Sequence, residues 1–367
     1  GDMLIERIEL RLLALPLVEP FVAAHGTTSN REIVVVRIDT DRGHGWGECS
    51  ALPEPTYTDE FAAGAFIVLD EELAPRLVGH RLDAAAVRSR LAVVGENPMA
   101  AAALEMALLD VELRMQRQPL AVRLGATTTA VPAGAAIGLG APGEVAERAA
   151  ALVAEGFERV KLKITPGHDL ALVEAVRAAA PSAEIHLDGN GSYRPAEEGI
   201  LGELAQSGIG AIEQPFAPTE VDAAARLVAD SPVPIVADEA ASSVAAIDRL
   251  RRAGALSGVS LKPPRLGGIL AAVEAHDRCR SWGLAMTAGG MVETGLGRHA
   301  LAAVAALGGF TLTGDVSPAG RWLRADPWSD VTMQAGKIDV PDGPGIAPDP
   351  DPDLLDEYTT RRAELHR

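Results

Sequence analysis

Five side chains able to grip a hard cation or move a proton recur at a near-constant interval in the middle of this chain. They are Lys163, Asp188, Glu213, Asp238 and Lys262, spaced 25, 25, 25 and 24 residues apart. The three acids are oxygen donors with no cluster of His or Cys beside them, a set that suits Mg²⁺, with Mn²⁺ as the alternative. One such acid alone would read as a helix N-cap. Three crowded together would repel each other without a cation. The two amines bring a second function, because burial, a neighbouring ammonium or a metal ion depresses a lysine's pKa until it can act as a general base near neutral pH. A cation on a substrate carboxylate makes the α-proton acidic by stabilising the enediolate left when a lysine removes it. β-Elimination, reprotonation on the opposite face and cycloisomerisation all start this way, and the residues leave the three open.

Each of the five sits at the end of a short apolar run, at residues 160–164, 185–188, 209–213, 234–238 and 259–262, with Ala- and Leu-rich stretches of helical spacing between. Strand–helix units repeated in a row favour a closed (β/α) barrel, since parallel strands must bury both faces. Eight strands are expected, the first at 131–137 and the last two at 284–288 and 310–314. In such a barrel the C-terminal strand ends meet at one mouth. Lys161 and Lys163, two apart, share a face of their strand. Strands two and six lie opposite one another, so Lys163 and Lys262 would flank a bound substrate.

The chain has 367 residues, more than one barrel of roughly 250 needs. Residues 5–39 alternate apolar and polar, with a strand at 33–38 and a turn at Asp41-Arg42-Gly43, whereas 60–90 and 99–117 carry helical spacing that ends at Gln118-Pro119. This predicts an α+β capping domain over residues 1–125 and a barrel over 126–320. Residues 321–367 would pack back on the cap, with a closing helix at 354–367. The turn-prone stretch at 21–30 suits either a flap over the mouth or a surface loop. Phe21, Tyr57, Gly290 and Met291 fall in loops and are candidates to line an apolar substrate pocket. Arg265 could hold a carboxylate or modulate Lys262. His25, His44 and His299 show no ligand spacing.

Lys and Arg number 33 against 51 Asp and Glu, a net charge of −18 that disfavours nucleic acid and anionic membranes. No apolar stretch reaches the roughly 18 residues of a membrane helix, and no charged-then-apolar leader opens the chain. The two cysteines, Cys49 and Cys279, lie far apart, as in a protein of the reducing cytosol. These features predict a cytoplasmic protein acting on a small-molecule carboxylate, with no nucleic-acid or membrane partner. Assembly into a homo-oligomer is left open.

Several motifs resemble the enolase superfamily, specifically its muconate-lactonising-enzyme subgroup. They are Lys161-Leu162-Lys163, Asp188-Gly189-Asn190, Ile212-Glu213-Gln214-Pro215, Ala237-Asp238-Glu239 and Ser260-Leu261-Lys262-Pro263, joined in the cap by Gly45-Trp46-Gly47-Glu48 and the helix around Glu105 and Asp110. The resemblance implies the enolase-like, modified TIM barrel with its cap completed by the C-terminal tail. It implies Asp188, Glu213 and Asp238 as Mg²⁺ ligands, Lys163 and Lys262 as the acid–base pair, and Lys161, Asn190 and Glu239 as supporting residues. Arg265-Leu266-Gly267-Gly268, residues 289–298 and Gly314-Asp315-Val316-Ser317 are similar to o-succinylbenzoate synthases and N-succinylamino acid racemases. Val316-Ser317 after Asp315 departs from the Asp-x-Asp of dipeptide epimerases. Further departures at Gly189, Pro264 and His299-Ala300-Leu301 touch no ligand or lysine and bear on substrate identity alone. In a synthase, Lys163 would remove the α-proton and assist loss of hydroxyl while Lys262 stabilises the enediolate. In a racemase the two would exchange protons on opposite faces.

Overall fold

Two glycines decide how closely the N-terminal sheet approaches its main helix. In this computed structural model, which describes residues 1–23 and 26–367 and the side chains outside 21–26, strand Gly43–Cys49 lies on helix Pro98–Gln116. A Cβ on Gly45 or Gly47 would collide with the carbonyl oxygens of Ala107 and Ala103. Glycine against alanine therefore brings the two backbones into contact, and the helix is buried on nearly every side from Met99 to Leu113. Its N-terminus is set by Pro98 and its end by Arg117 in the left-handed region at φ 50.

The cap's sheet is antiparallel, in the order Thr359–His366, Met3–Ala23, Gly26–Thr40, Gly43–Cys49. The C-terminal segment therefore completes the cap, but as a short helix, Pro352–Tyr358, followed by a strand. The closing helix expected at 354–367 gives way because ion pairs across the sheet favour a strand. Arg362 reaches Glu9 at 2.8 Å, and Arg7 reaches Glu364 at 2.7 Å.

The second sheet holds seven parallel strands in sequence order: Gly134–Ile137, Arg159–Lys163, Glu184–Asp188, Ala211–Glu213, Ile235–Ala237, Gly258–Leu261 and Ala285–Ala288. Val160, Leu162, Ile185, Leu187 and Ile212 face the surrounding helices in one apolar core. Period two then turns Arg159, Lys161 and Lys163 inward. The expected first strand, 131–137, is split. Pro132 offers no N–H and Ala133 donates to Gly336, so Ala130–Pro132 pairs instead with Lys337–Asp339 in a separate three-stranded sheet.

The expected eighth strand, 310–314, is not a strand. Its place is taken by irregular backbone bonded to both sheet edges, with Leu312 N–H on Met286 O at 3.1 Å, Asp315 N–H on Ala288 O at 2.8 Å and Gly134 N–H on Val316 O at 3.2 Å. The Thr313 carbonyl accepts from Arg159 Nε and Thr287 Oγ1, both at 3.1 Å. Side-chain donors thus take an acceptor that a regular ladder would have used.

Buried acids of the cap sit on the N-termini of barrel helices, where unpaired backbone N–H groups await acceptors. Glu48 accepts from Thr294 N at 3.0 Å and Gly297 N at 3.1 Å, opening helix Gly295–Ala305. Glu105 accepts from Leu270 N at 3.1 Å, opening helix Ile269–Ser281. Asp110 caps the cap's own contacts, accepting from Trp46 N at 2.9 Å and Ile346 N at 2.8 Å.

Two predictions follow from this packing. Gly47→Ala should destabilise the protein by about 3 kcal/mol, read as a lowered urea midpoint, because the helix must move to admit one methyl. Burial pushes Glu48 up from 4.5 to about 7 against the hydrogen bonds from Thr294. A folded-state pKa above the unfolded one means that this stabilisation is complete below about 4.5 and is lost as pH rises through about 7. Glu48→Gln cannot titrate, so its melting temperature relative to wild type should rise between pH 5 and pH 8. A constant difference across that range would contradict the assignment.

Candidate active site

Lys163, Asp188 and Glu213 are register partners on three adjacent strands, which sets their Cα atoms roughly 4.8 Å apart in a row. Asp238 lies two residues beyond Val236, the partner of Glu213. Lys262 lies two beyond Ser260, so the row climbs from strand to strand as tilted barrel strands require. The geometry thus gathers at one mouth all five residues singled out by spacing.

Lys161 is 5% exposed and its ammonium lies 2.7 Å from Asp315 Oδ2 and 2.7 Å from Glu213 Oε2. The first contact is a hydrogen bond. The second is charge against charge, since both Glu213 oxygens are buried without a hydrogen bond. Burial, together with Asp188, pushes Glu213 up to about 7 despite Lys161. Asp315 also accepts from Arg159 Nη2 at 2.7 Å, and Arg159 is fully buried.

Lys163 differs from Lys161 in reaching the open cavity. It donates to Asn190 Oδ1 at 2.8 Å and stands 4.0 Å from Asp188. Asn190 occupies the left-handed region at φ 44, which Asn tolerates, and its N–H bonds Asp188 Oδ1 at 3.0 Å. Its amide reaches Glu239 Oε1 at 3.3 Å. Burial, then the charges of Asp238 and Asp188, push Glu239 up to about 8.

Asp238 is the most heavily paired acid of the group. Lys262 lies 3.1 Å from one oxygen, while the Tyr57 hydroxyl donates to the other at 2.6 Å beside Arg265. Gln214 Oε1 accepts the Asp238 and Ala240 N–H groups at 3.0 and 3.1 Å, fixing the strand end. Burial pulls Lys262 down, but Asp238, Tyr57 and Glu239 outweigh it and hold its pKa well above the usual lysine value. The expected depression is not met at this lysine because a carboxylate faces it. Lys262 also stacks over Tyr57, 4.2 Å from the ring centroid. Gly289 leaves room for this, since a Cβ there would lie 2.7 Å from Lys262 Cγ.

A cavity of about 610 Å³ opens beside Lys163, lined also by Gly290, Asp315, Arg298 and Trp322. Tyr57 and Met291, candidates to line the substrate pocket, do not border this cavity, and neither do Asp188, Glu213, Asp238 or Lys262. Tyr57 is spent on Asp238, and Met291, 4% exposed, packs into the cap's core, leaving its carbonyl to Arg31 at 3.0 Å. The Phe21 side chain lies outside the described residues, as does His25. Inward neighbours that spacing alone passed over include Arg159, His186, Gln214 and Arg298. Counting back in twos, from Lys163 through Lys161 and from Asp188, would have found the first two. Arg298, held by Glu293 at 2.8 Å and stacked on Trp322 at 4.3 Å, gives no such signal.

A hard cation suits the donor chemistry here: three carboxylates on consecutive strands, with the Glu213 oxygens buried and lacking hydrogen-bond partners. Among the described residues, no three His, Cys, Asp or Glu side chains are drawn together closely enough to enclose a metal ion. Asp238 is turned to Lys262 and Arg265 instead.

Comparison with known proteins agrees with this geometry. Residues 7–125 match the family described as mandelate racemase / muconate lactonizing enzyme, N-terminal domain, and residues 144–354 match the enolase C-terminal domain-like family. The chain belongs to the enolase superfamily. It is 38% identical over 363 residues to an N-succinylamino acid racemase of Amycolatopsis, covering 98% of this chain and 99% of that one. It is 33% identical to an o-succinylbenzoate synthase of Bacillus subtilis, covering 97% of both. A crystal structure of an enolase superfamily member from Listeria innocua superposes with a TM-score of 0.94 at 30% identity, covering 99% of each chain. Enolase superfamily members generally use Mg²⁺. The relatives are enzymes, and so is this protein. Among the described residues no helix is long and apolar enough to cross a membrane.

Asp315 gives the test of this enolase superfamily site's architecture. Asp315→Ala would strand two buried cations, Arg159 and Lys161, and should cost about 3 kcal/mol or more in urea unfolding. A loss under about 1 kcal/mol would show that the pairing carries little.

Proposed function

We propose that this protein removes a proton α to a carboxylate, with Mg²⁺ held by Asp188, Glu213 and Asp238, and that its reaction is the dehydration of a cyclohexadiene carboxylate to o-succinylbenzoate. The asymmetry of the two lysines supports this reading. Lys163 has a single amide partner and reaches the cavity, as a base that must approach carbon needs. Lys262 is locked between Asp238 and the face of Tyr57, as a fixed cation serving developing negative charge would be. A divalent ion on the substrate carboxylate would act as a Lewis acid and steady the enediolate.

Within that arrangement Lys163 takes the α-proton onto its amine. The enediolate electrons then expel the β-hydroxyl, which leaves as water with the proton Lys163 has just accepted. Lys262 remains an ammonium throughout and faces the charge. Asn190 holds Lys163 in line, and Lys161, bound on both sides by Asp315 and Glu213, fixes the floor beneath it. Menaquinone biosynthesis would be the setting for such a synthase.

A second reading is supported by the 38% identical Amycolatopsis relative, whose name is N-succinylamino acid racemase. In it Lys163 and Lys262 act on opposite faces of the α-carbon, one taking the proton as the other delivers one. The same carboxylate row serves both reactions, and one protein can carry both. Cycloisomerisation of a muconate-like acid is a third outcome of the same half-reaction.

Purified Mg²⁺-loaded protein should convert the cyclohexadiene precursor with a change in absorbance, and in D₂O it should exchange the α-proton of an N-succinylamino acid. Neither signal with any acid tried would sink the proposal. Lys163→Ala should lower turnover by about 10² to 10⁴-fold while calorimetric Mg²⁺ affinity stays close to wild type. Turnover near wild type in that variant would remove Lys163 from its role.

A further inference from the structure

A second cavity, of about 710 Å³, lies apart from the candidate active site, and none of Lys163, Asp188, Glu213, Asp238 or Lys262 lines it. It opens where the end of helix Pro98–Gln116, helix Gly295–Ala305 and the proline-rich loop 341–348 meet. Its size is that of a small-molecule site. The loop is pinned at three points. Asp110 accepts from Ile346 N at 2.8 Å, the Gln118 carbonyl accepts from Gly345 N at 3.1 Å, and Arg114 donates to the Ala347 carbonyl at 2.9 Å. Arg114, which also lines the cavity, is accounted for by Asp110 at 2.9 Å and Asp349 at 2.8 Å. The cavity is therefore shaped before any ligand arrives.

Three polar side chains of the lining have capacity that the fold leaves unused. His299 is 8% exposed, and its Nδ1 lies 2.6 Å from the Gly295 carbonyl. A carbonyl only accepts, so Nδ1 carries the proton, and Nε2, without a partner among the described residues, keeps a bare lone pair. Burial lowers the pKa of this ring against the pull of the Gly295 carbonyl and of Asp330, which keeps it neutral near neutral pH. Arg117 and Asp342, both exposed, add one positive and one negative charge. Neither side chain has a hydrogen bond, ion pair or ring contact among the described residues. Proline rings and Ile346 make the rest of the wall largely apolar.

We infer that this cavity binds a free α-amino acid with an aliphatic side chain, taken as its zwitterion. The carboxylate would meet the Arg117 guanidinium, the ammonium would donate to Asp342 and to His299 Nε2, and the side chain would lie on Pro341, Pro344 and Ile346. Simpler ligands answer only part of this set. A plain carboxylic acid suits Arg117 but sets its charge against Asp342 and gives Nε2 no donor. A plain amine suits Asp342 and Nε2 and leaves Arg117 unmatched, while a metal cation would be opposed by Arg114 and Arg117 together. The inference stands independently of the α-proton chemistry, since the two cavities share no lining residue.

The test measures binding rather than turnover. Titration calorimetry on the full-length Mg²⁺-loaded protein should give L-leucine a dissociation constant below about 1 mM. 4-Methylpentanoate, which lacks the ammonium, and 3-methylbutylamine, which lacks the carboxylate, should each bind at least about tenfold more weakly. Arg117→Gln and Asp342→Asn, both at exposed positions, should each weaken L-leucine binding at least about threefold while the urea midpoint stays at the wild-type value. His299→Leu, which removes the acceptor, should weaken it too, and the two exposed variants decide the matter should His299→Leu fail to fold. Absence of L-leucine binding overturns the site. So does equal binding of either truncated probe, or an affinity left unchanged in Arg117→Gln or Asp342→Asn, which would place the amino acid elsewhere on the protein.

Discussion

A buried ammonium between two carboxylates ties the mouth of this barrel together. Lys161 stands within 2.7 Å of both Asp315 and Glu213, and these acids come from the irregular closing segment and the fourth strand. The interaction spans the interior rather than neighbouring strands. It matters because the closing segment lacks a full ladder of its own and borrows hydrogen bonds from Arg159 and Thr287. Buried charges stay ionised only when paired, so Lys161, Arg159, Asp315 and Glu213 constrain each other's positions. Lys163 and Asp188 then stand on strands whose spacing is fixed from below.

The two halves of the molecule are joined by the same physical device, a buried acid on a helix N-terminus. Glu48 and Glu105 belong to the cap, yet their acceptors complete helices that carry the loops after the sixth and seventh barrel strands. The Gly290–Val292 turn lies at this joint. Val292, a β-branched residue at φ 57, is held in a costly conformation while Arg31 bonds the carbonyls of Met291 and Val292. The cap therefore shapes the cavity wall through the backbone as well as covering it.

Much of the chemistry was legible in the sequence, because a 25-residue strand–helix repeat forces residues at its period to one end of a parallel sheet. Asp188, Glu213, Asp238, Lys163 and Lys262 meet where that repeat predicts. The glycine–alanine contact beneath Trp46 was legible as a motif, though not as a physical necessity. Less legible were the elements whose form depends on distant partners. The eighth strand dissolves because side chains from other strands capture Thr313, and the closing helix becomes a strand because Glu9 and Arg7 offer it ion pairs. Tyr57 and Met291 were sound loop candidates, but loops point where tertiary contacts send them.

By itself, then, the order of residues determined the periodicity, the donor types and the inward face of each strand, since these are local properties of backbone geometry and side-chain chemistry. Only the folded chain decided which charge meets which. Pairing depends on distances between segments more than a hundred residues apart, as with Lys161 and Asp315 or Glu48 and Thr294. It left Asp238 fully engaged and Lys163 reaching the cavity. No spacing rule carries that information, because electrostatic pairing in a low-dielectric interior is settled by the whole set of neighbours at once.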